Sequence, residues 1–291
     1  MLYSVRKGLL RPEVAGKFVD LVGDSASMVA FKDRCKDIRA LRLWQTDLLG
    51  TMLPLLSRQD RQALMGTNRM LALDRENAAL LLGRVESLLD VGAGSGETTR
   101  ELKSIVEGRV VATEASAFCW ARLRQQTEAR FTDVLDFHDD SFDVAALLNV
   151  LDRAKNPSAL LKNAARIATR LLVSICHPLD PFVQPQLFSP TTTDNNNNTY
   201  EKNEEHHKNF LTSIRRETTL LDHGDVEAFS SFEDFLNVAS DHLLREAPLS
   251  SFTLDAIARA PYLCFCGLDE DGLPHFTSLD QGLFLLSRRT T

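Results

Sequence analysis

Leu88-Leu89-Asp90-Val91-Gly92-Ala93-Gly94-Ser95-Gly96-Glu97 ends a short apolar run on an aspartate, then alternates three glycines before a helix-like segment. Glycine at Gly92, Gly94 and Gly96 lets the backbone turn sharply and leaves room for a ligand against the main chain. Twenty residues after Gly94, past a second apolar run (Arg109-Val-Val-Ala-Thr113), comes Glu114. An acid at the end of the second strand of such a unit is placed to hold two ribose hydroxyls. Gly-rich turn, helix and distal acid together describe a nucleoside pocket at the carboxyl edge of a parallel sheet.

Outward from this stretch the pattern alternates. Apolar strands are expected at about 87–91, 109–113, 142–148 and 171–176, with helices near 96–107, 116–127 and 157–168. Asn156-Pro157 opens the last helix as a cap followed by proline at the first helical position. Phe131-Thr-Asp133-Val fits a further strand edge. Such alternation implies a parallel sheet with right-handed crossovers. Residues 1–85 read as a helical extension that packs on the sheet or folds over the ligand as a lid. Leu41, Trp44, Leu48, Met52 and Leu55 form an amphipathic stripe, and Asp74 caps a further helix.

Residues 86–291 form the α/β domain, interrupted at about 186–229 by a polar insertion with an Asn-rich run and Glu204-Glu-His-His-Lys208. It has little to bury and reads as a disordered surface segment. His206 and His207 there read as solvated. Ser231, Phe232, Glu233 and Asp234 start a helix with a capping-box pattern that sends Phe232, Phe235, Leu236 and Leu243 to the core. Phe252 to Tyr262 and Gly282 to Ser287 read as two closing strands joined by a Gly- and Asp-rich loop.

Composition sets the outer limits. The 291 residues, 44% hydrophobic and 25% charged, suit a soluble globular chain with a sizeable core. A net charge of −7 offers no general attraction for nucleic acid and suits a neutral or basic substrate better. Cys35, Cys119, Cys176, Cys264 and Cys266 have neither metal spacing nor the look of a disulfide framework. They read as buried or semi-buried thiols of a reducing compartment, with no metal site. The amino terminus is too short and interrupted for a signal h-region, and no apolar run reaches the ~20 residues of a membrane span. The expectation is an intracellular, cytoplasmic location, with association with an organelle left open.

Glycine spacing decides which nucleoside is bound. The dinucleotide fingerprint sets its third glycine five positions after the first. Here the interval is four, which resembles the S-adenosylmethionine loop of class I methyltransferases and disfavours a nicotinamide oxidoreductase. A sulfonium cofactor has no pyrophosphate for the helix amino terminus, but its cationic amino acid end suits Asp90 as a neighbour. The expected fold is thus a Rossmann-like class I methyltransferase, mostly parallel, with an antiparallel C-terminal strand.

Further motifs narrow the resemblance. Phe142 to Leu148 runs into Asn149-Val-Leu-Asp152-Arg153, which puts polar side chains at the end of a central strand. That run, with Leu88 to Glu97, Ala112-Thr-Glu114 and Ala260-Pro-Tyr-Leu-Cys264, resembles the methyltransferase-like protein 9 (DREV) family, its pieces in the same order. Leu64 to Met70 and the Pro178 to Val183 turn are also similar. The likeness spans roughly 40–185 and 230–290, and the Asn-x-x-Asp-Arg and Pro-Tyr-Leu-Cys elements are its most specific parts. The chain departs from the family at Asp180, where a histidine is usual.

The resemblance implies a protein-histidine methyltransferase that moves a methyl group from S-adenosylmethionine to the pros nitrogen of histidine in His-x-His sequences. By matching position, Asp90, Gly92, Ala93 and Gly94 would line the cofactor site, Glu114 would hold the ribose, and Asp133 would lie near the adenine. Asn149, Asp152 and Arg153 would form the acceptor pocket, closed by Tyr262. Neutral imidazole has its own lone pair and needs no strong base. A carboxylate such as Asp152 would fix the tautomer and stabilise the cation that forms. Transfer to a small molecule or another side chain, and a non-catalytic binding protein of the same fold, remain as alternatives.

Overall fold

From the amino terminus the chain forms α1 (Pro12–Ala15), α2 (Ala26–Lys36), α3 (Ala40–Met52), α4 (Arg58–Met65), β1 (Met70–Leu71) and α5 (Arg75–Leu82). Then come β2 (Val85–Val91), α6 (Glu97–Lys103), β3 (Val106–Glu114), α7 (Ala117–Leu123), β4 (Glu128–Phe131), β5 (Phe142–Leu147), α8 (Pro157–Ile167) and β6 (Ala168–His177). The last elements are α9 (Phe232–Arg245), β7 (Phe252–Leu268) and β8 (Pro274–Arg288). The computed structural model describes residues 3–53, 56–133, 135–177, 231–246 and 249–289. The insertion at 186–229 with its histidines, the Pro178 turn with Asp180, and Leu55 lie outside the described residues.

Among those residues the strands form one sheet in the order β1-β7-β8-β6-β5-β2-β3-β4. β4, β3, β2, β5 and β6 run parallel, as the strand–helix alternation requires. β8 enters antiparallel between β6 and β7. This is the Rossmann-like class I methyltransferase architecture. Chain order reverses at β2, which lies between β3 and β5, so the crevice where ligands bind in open α/β sheets opens above its carboxyl end.

Local chemistry sets the helix starts. Asn156 accepts from the Ala159 N–H with Pro157 in the first turn of α8. Ser231 and Asp234 cap one another's backbone at α9, so the reciprocal box read from the sequence forms. α9 buries Phe232, Phe235, Leu236 and Leu243 against the face of the sheet that also holds Phe252 and Phe284. The closing strands run longer than periodicity suggests and make a hairpin turned at Asp269–Gly272, where the Asp269 N–H donates to the Leu273 carbonyl.

The amino-terminal segment differs from its reading in two ways. It is not wholly helical: β1 pairs antiparallel with β7, Met70 beside Cys264 and Leu71 beside Leu263, because this edge still offers unpaired backbone groups. The stripe on α3 is a helix face as its spacing implies, yet Leu41, Trp44, Leu48 and Met52 are exposed and the buried residue is Thr46. Periodicity identifies a helix; it does not supply the neighbour. The segment is fastened through Glu97, whose buried carboxylate pairs with Arg69 from the β1 approach, Arg34 of α2 and Arg100. Cys35, Cys119 and Cys176 are buried and Cys264 is half-buried, but Cys266 is exposed, contrary to its reading, although its neighbour Phe265 is in the core. No helix among the described residues is long and apolar enough to cross a membrane, and no cluster of acids, cysteines and histidines there could hold a metal ion.

Candidate active site

A cavity of about 420 Å³ opens over the carboxyl ends of β2, β3 and β5, within the usual range for small-molecule sites. The turn after β2 forms its floor. Gly92 sits at φ +68, and a Cβ there would stand 2.7 Å from Val150. Gly94, at φ +58, meets nothing within 4 Å, so its missing side chain is open space that a ligand can use. Ala93 and Ser95 line the same floor.

Two buried carboxylates flank this turn. Glu114, the last residue of β3, accepts from the Gly94 N–H at 2.8 Å and the Ser116 N–H at 2.7 Å. Burial pushes its pKa up, and those backbone donors oppose the shift. A carboxylate has about four lone-pair sites, so this one keeps capacity for ligand hydroxyls. Asp90, near the end of β2, accepts from the Thr99 hydroxyl at 2.6 Å. Burial raises its pKa to about 7; the Thr99 bond lowers it and the charge on Glu114 adds to the rise. Burial makes both acids resist ionisation, and a nearby positive charge would favour their ionised forms. Asp133 and Thr132 line the wall beyond β4.

The other end of the cavity is built from the β5 exit. Asn149 has φ +54, a left-handed conformation that asparagine tolerates better than most residues and that turns the chain at the strand tip. Its carboxamide is held by Ser174, Cys176 and Gln281. The following 3₁₀ turn, Leu151 to Arg153, brings the Arg153 side chain to the wall. Asp152 points differently. It is buried but is not among the lining residues, and its Oδ1 lies 3.8 Å from the Arg153 Nε. It is near enough to the Tyr262 hydroxyl and the Cys176 thiol to oppose their ionisation. Tyr262 of β7 lines the cavity with its hydroxyl donating to the Met70 sulfur at 2.9 Å.

Every site residue read from the sequence except Asp152 therefore lines this one cavity, and Asp152 is buried beside the lining residue Arg153. Sequence reasoning missed Gln59, Asn68 and Met70, which reach the cavity from the amino-terminal segment, and Asn163 of α8. Asn68 donates to the Ser95 hydroxyl at 3.3 Å, which ties that segment to the glycine turn. It also missed Gln281 behind Asn149. Only the Leu64 to Met70 likeness gave any signal for these positions.

The fold, with a glycine turn and acidic strand ends beneath a single cavity, defines an S-adenosylmethionine-dependent methyltransferase. Residues 2–229 match the family model described as DREV methyltransferase, and the chain belongs to that family. Among solved structures it is similar to a putative RNA methyltransferase from Pyrococcus horikoshii (10% identity, 80% of this chain and 84% of that one, TM-score 0.39). It is also similar to a possible histamine N-methyltransferase from Thermotoga maritima (16% identity, 73% and 86% covered, TM-score 0.38). A third is a TehB-like methyltransferase from Corynebacterium glutamicum (13% identity, 72% and 84% covered, TM-score 0.35). The substrates in those names belong to those proteins.

Asp90 gives this site an expected pH dependence. Below about pH 7 its carboxyl is mostly protonated in the free protein, and a cationic ligand favours the ionised form. Binding then releases a proton, so affinity for the cofactor rises with pH, by up to about tenfold per unit between roughly pH 5 and 6.5, and levels off above about 7. Calorimetric titration with S-adenosylmethionine across that range should give this slope, and Asp90→Asn should flatten it to the share contributed by Glu114. An unchanged slope in Asp90→Asn would remove Asp90 from the cation's surroundings.

Proposed function

We propose that this methyltransferase acts on protein histidine, transferring the methyl group to the pros nitrogen within His-x-His sequences. When bound, S-adenosylmethionine supplies an electrophilic methyl group. Asp90, Gly92, Ala93 and Gly94 are assigned to its amino acid end and turn, Glu114 to the ribose and Asp133 to the adenine side. Asn149, Arg153 and Tyr262 are assigned to the acceptor, with residues 1–85 contributing one wall through Gln59, Asn68 and Met70.

The observation that carries this reading is that the acceptor wall, among the described residues, carries no base. Asn149 is an amide, and burial keeps the Tyr262 phenol and the Cys176 thiol protonated. Among the described residues no lining group there is poised as a strong base, which suits a nucleophile that already owns a free lone pair. Neutral imidazole is such a nucleophile. The new C–N bond uses that lone pair while the C–S bond electrons return to sulfur, and the ring becomes cationic until it loses its other N–H proton. The Asp152 carboxylate is buried beside Arg153 and outside the lining, and from there its charge favours the cation without contact. Alignment of ring and methyl group supplies much of the remaining acceleration, worth about 7 kcal/mol or more in well-oriented systems.

One observation favours a second reading, transfer to a small molecule or to another side chain. Arg153 and Lys155 line the acceptor end, and two cations there suit an anionic group as well as a peptide. A His-x-His peptide, its His→Ala counterpart and labelled cofactor separate the two. Label on the first peptide alone, located by mass spectrometry on the pros nitrogen, is the expected result. Equal label on both peptides, or none on either, would overturn the histidine reading.

A further inference from the structure

The buried carboxamide behind the acceptor wall has a polarity that its surroundings dictate. The two ends of an amide side chain exchange by a half-turn and usually cannot be told apart by shape. Here hydrogen bonds run in sequence from one main-chain group to another. The Asn149 N–H donates to the Ser174 Oγ at 2.8 Å, so the Ser174 hydroxyl turns its own proton to the Asn149 Oδ1 at 3.1 Å. At the far end the Gln281 Nε2 donates to the Ala72 carbonyl, so the Gln281 Oε1 faces the Asn149 Nδ2 at 3.2 Å. A backbone N–H cannot accept and a carbonyl cannot donate. Turning either amide over would press two acceptors together at Ala72 or between the two side chains.

We infer that Gln281 is a positioning residue: with Ser174 it fixes the Asn149 carboxamide so that Asn149 meets the methyl-accepting molecule as a hydrogen-bond donor, and that molecule answers with a carbonyl oxygen. The inference rests on the assignment of Asn149 to the acceptor pocket. Two donors fill the Asn149 Oδ1, since the Cys176 thiol adds a bond at 2.9 Å to that of Ser174. Of the two Nδ2 protons one goes to Gln281, which leaves one N–H for the cavity that Asn149 lines. A donor aimed at the attacking ring nitrogen would occupy the lone pair that must reach the methyl group. A peptide carbonyl beside the histidine takes the same N–H without that conflict. Gln281 has no exposed surface and stands on β8 between Cys176 of β6 and Ala260 of β7, so three strands set its position.

Two variants of the full chain test this. Gln281→Met keeps the length and removes both bonds. Gln281→Glu restores both only as the neutral acid, whose carbonyl accepts from Asn149 and whose O–H donates to Ala72. The readouts are titration with S-adenosylhomocysteine, hydrogen exchange of the Asn149 side-chain amide (identified by its loss in Asn149→Asp), and turnover of a His-x-His peptide. In Gln281→Met the amide should exchange at least about tenfold faster and KM for the peptide should rise about tenfold, with kcat less affected. S-adenosylhomocysteine affinity should stay within about twofold, because that end of the cavity is not touched. Gln281→Glu should match the parent at low pH and lose turnover as the buried carboxyl ionises. Burial holds Cys176 up at about 12 and Tyr262 well above its ordinary value, so neither adds a step in that range.

Unchanged amide exchange in Gln281→Met, or a pH profile of Gln281→Glu parallel to the parent's, overturns the inference. If Gln281→Met no longer binds S-adenosylhomocysteine, the pH profiles of amide exchange in the parent and Gln281→Glu decide. A parent protein that leaves the peptide unmethylated defeats the histidine reading instead, and the amide-exchange comparison still judges Gln281.

Discussion

Asp152→Ala is expected to lower kcat/KM for methyl transfer at least about 100-fold, the scale set by removing one preorganised electrostatic group from a buried site. S-adenosylhomocysteine affinity should change by no more than about twofold, since Asp152 does not line the cofactor end. The loss has two sources. A buried carboxylate next to the proposed acceptor wall is deleted, and Arg153, whose Nε lies 3.8 Å from the Asp152 Oδ1, keeps its positive charge at that wall. Asp152→Asn, which retains the volume, should show most of the loss if charge is the cause. Single-turnover transfer and titration on the same preparations provide the check. Parallel loss of transfer and cofactor binding would show that Asp152 supports the fold rather than the reaction.

Glu114→Ala should instead damage cofactor binding, by about 100-fold or more. The buried N–H groups of Gly94 and Ser116 lose their acceptor, and each unmet donor costs about 1–3 kcal/mol. The Gly94 turn is then no longer held against the end of β3, and any ligand hydroxyls lose the same carboxylate. A fall in melting temperature of about 5 °C or more should accompany the weaker binding. Glu114→Gln keeps one acceptor oxygen but sets an NH₂ against the other backbone donor, so an intermediate affinity is expected. Titration with S-adenosylhomocysteine and thermal unfolding measure both. Unaltered affinity in Glu114→Ala would show that the carboxylate serves the turn alone.

Much of the cofactor half of the site was legible because its determinants are local. A glycine at each required turn, an acid at each of two strand ends and apolar runs of strand length all lie within Leu88 to Glu114, and the parallel register then forces them together. The capping box at Ser231 and the proline-started helix at Asn156 are likewise contained in a few residues. The exposed stripe of α3 and the strand at Met70 and Leu71 were not legible, because each depends on which surface the segment meets. Asp152 shows a finer limit. Its place in Asn-x-x-Asp-Arg put it just past the end of β5, but in the 3₁₀ turn formed there Arg153 lines the cavity and Asp152 does not.

The sequence alone determined an α/β chain with a nucleoside pocket above a parallel sheet, since strand length, turn chemistry and an acid at a fixed offset are properties of neighbouring residues. Tertiary structure alone decided what Asn149 can offer a bound molecule. Gln281 is 132 residues away and reaches it only because β8 inserts antiparallel beside β6, while the Ala72 carbonyl that orients Gln281 comes from the opposite end of the chain. Hydrogen-bond polarity is set by partners in space, and no spacing along the chain encodes it.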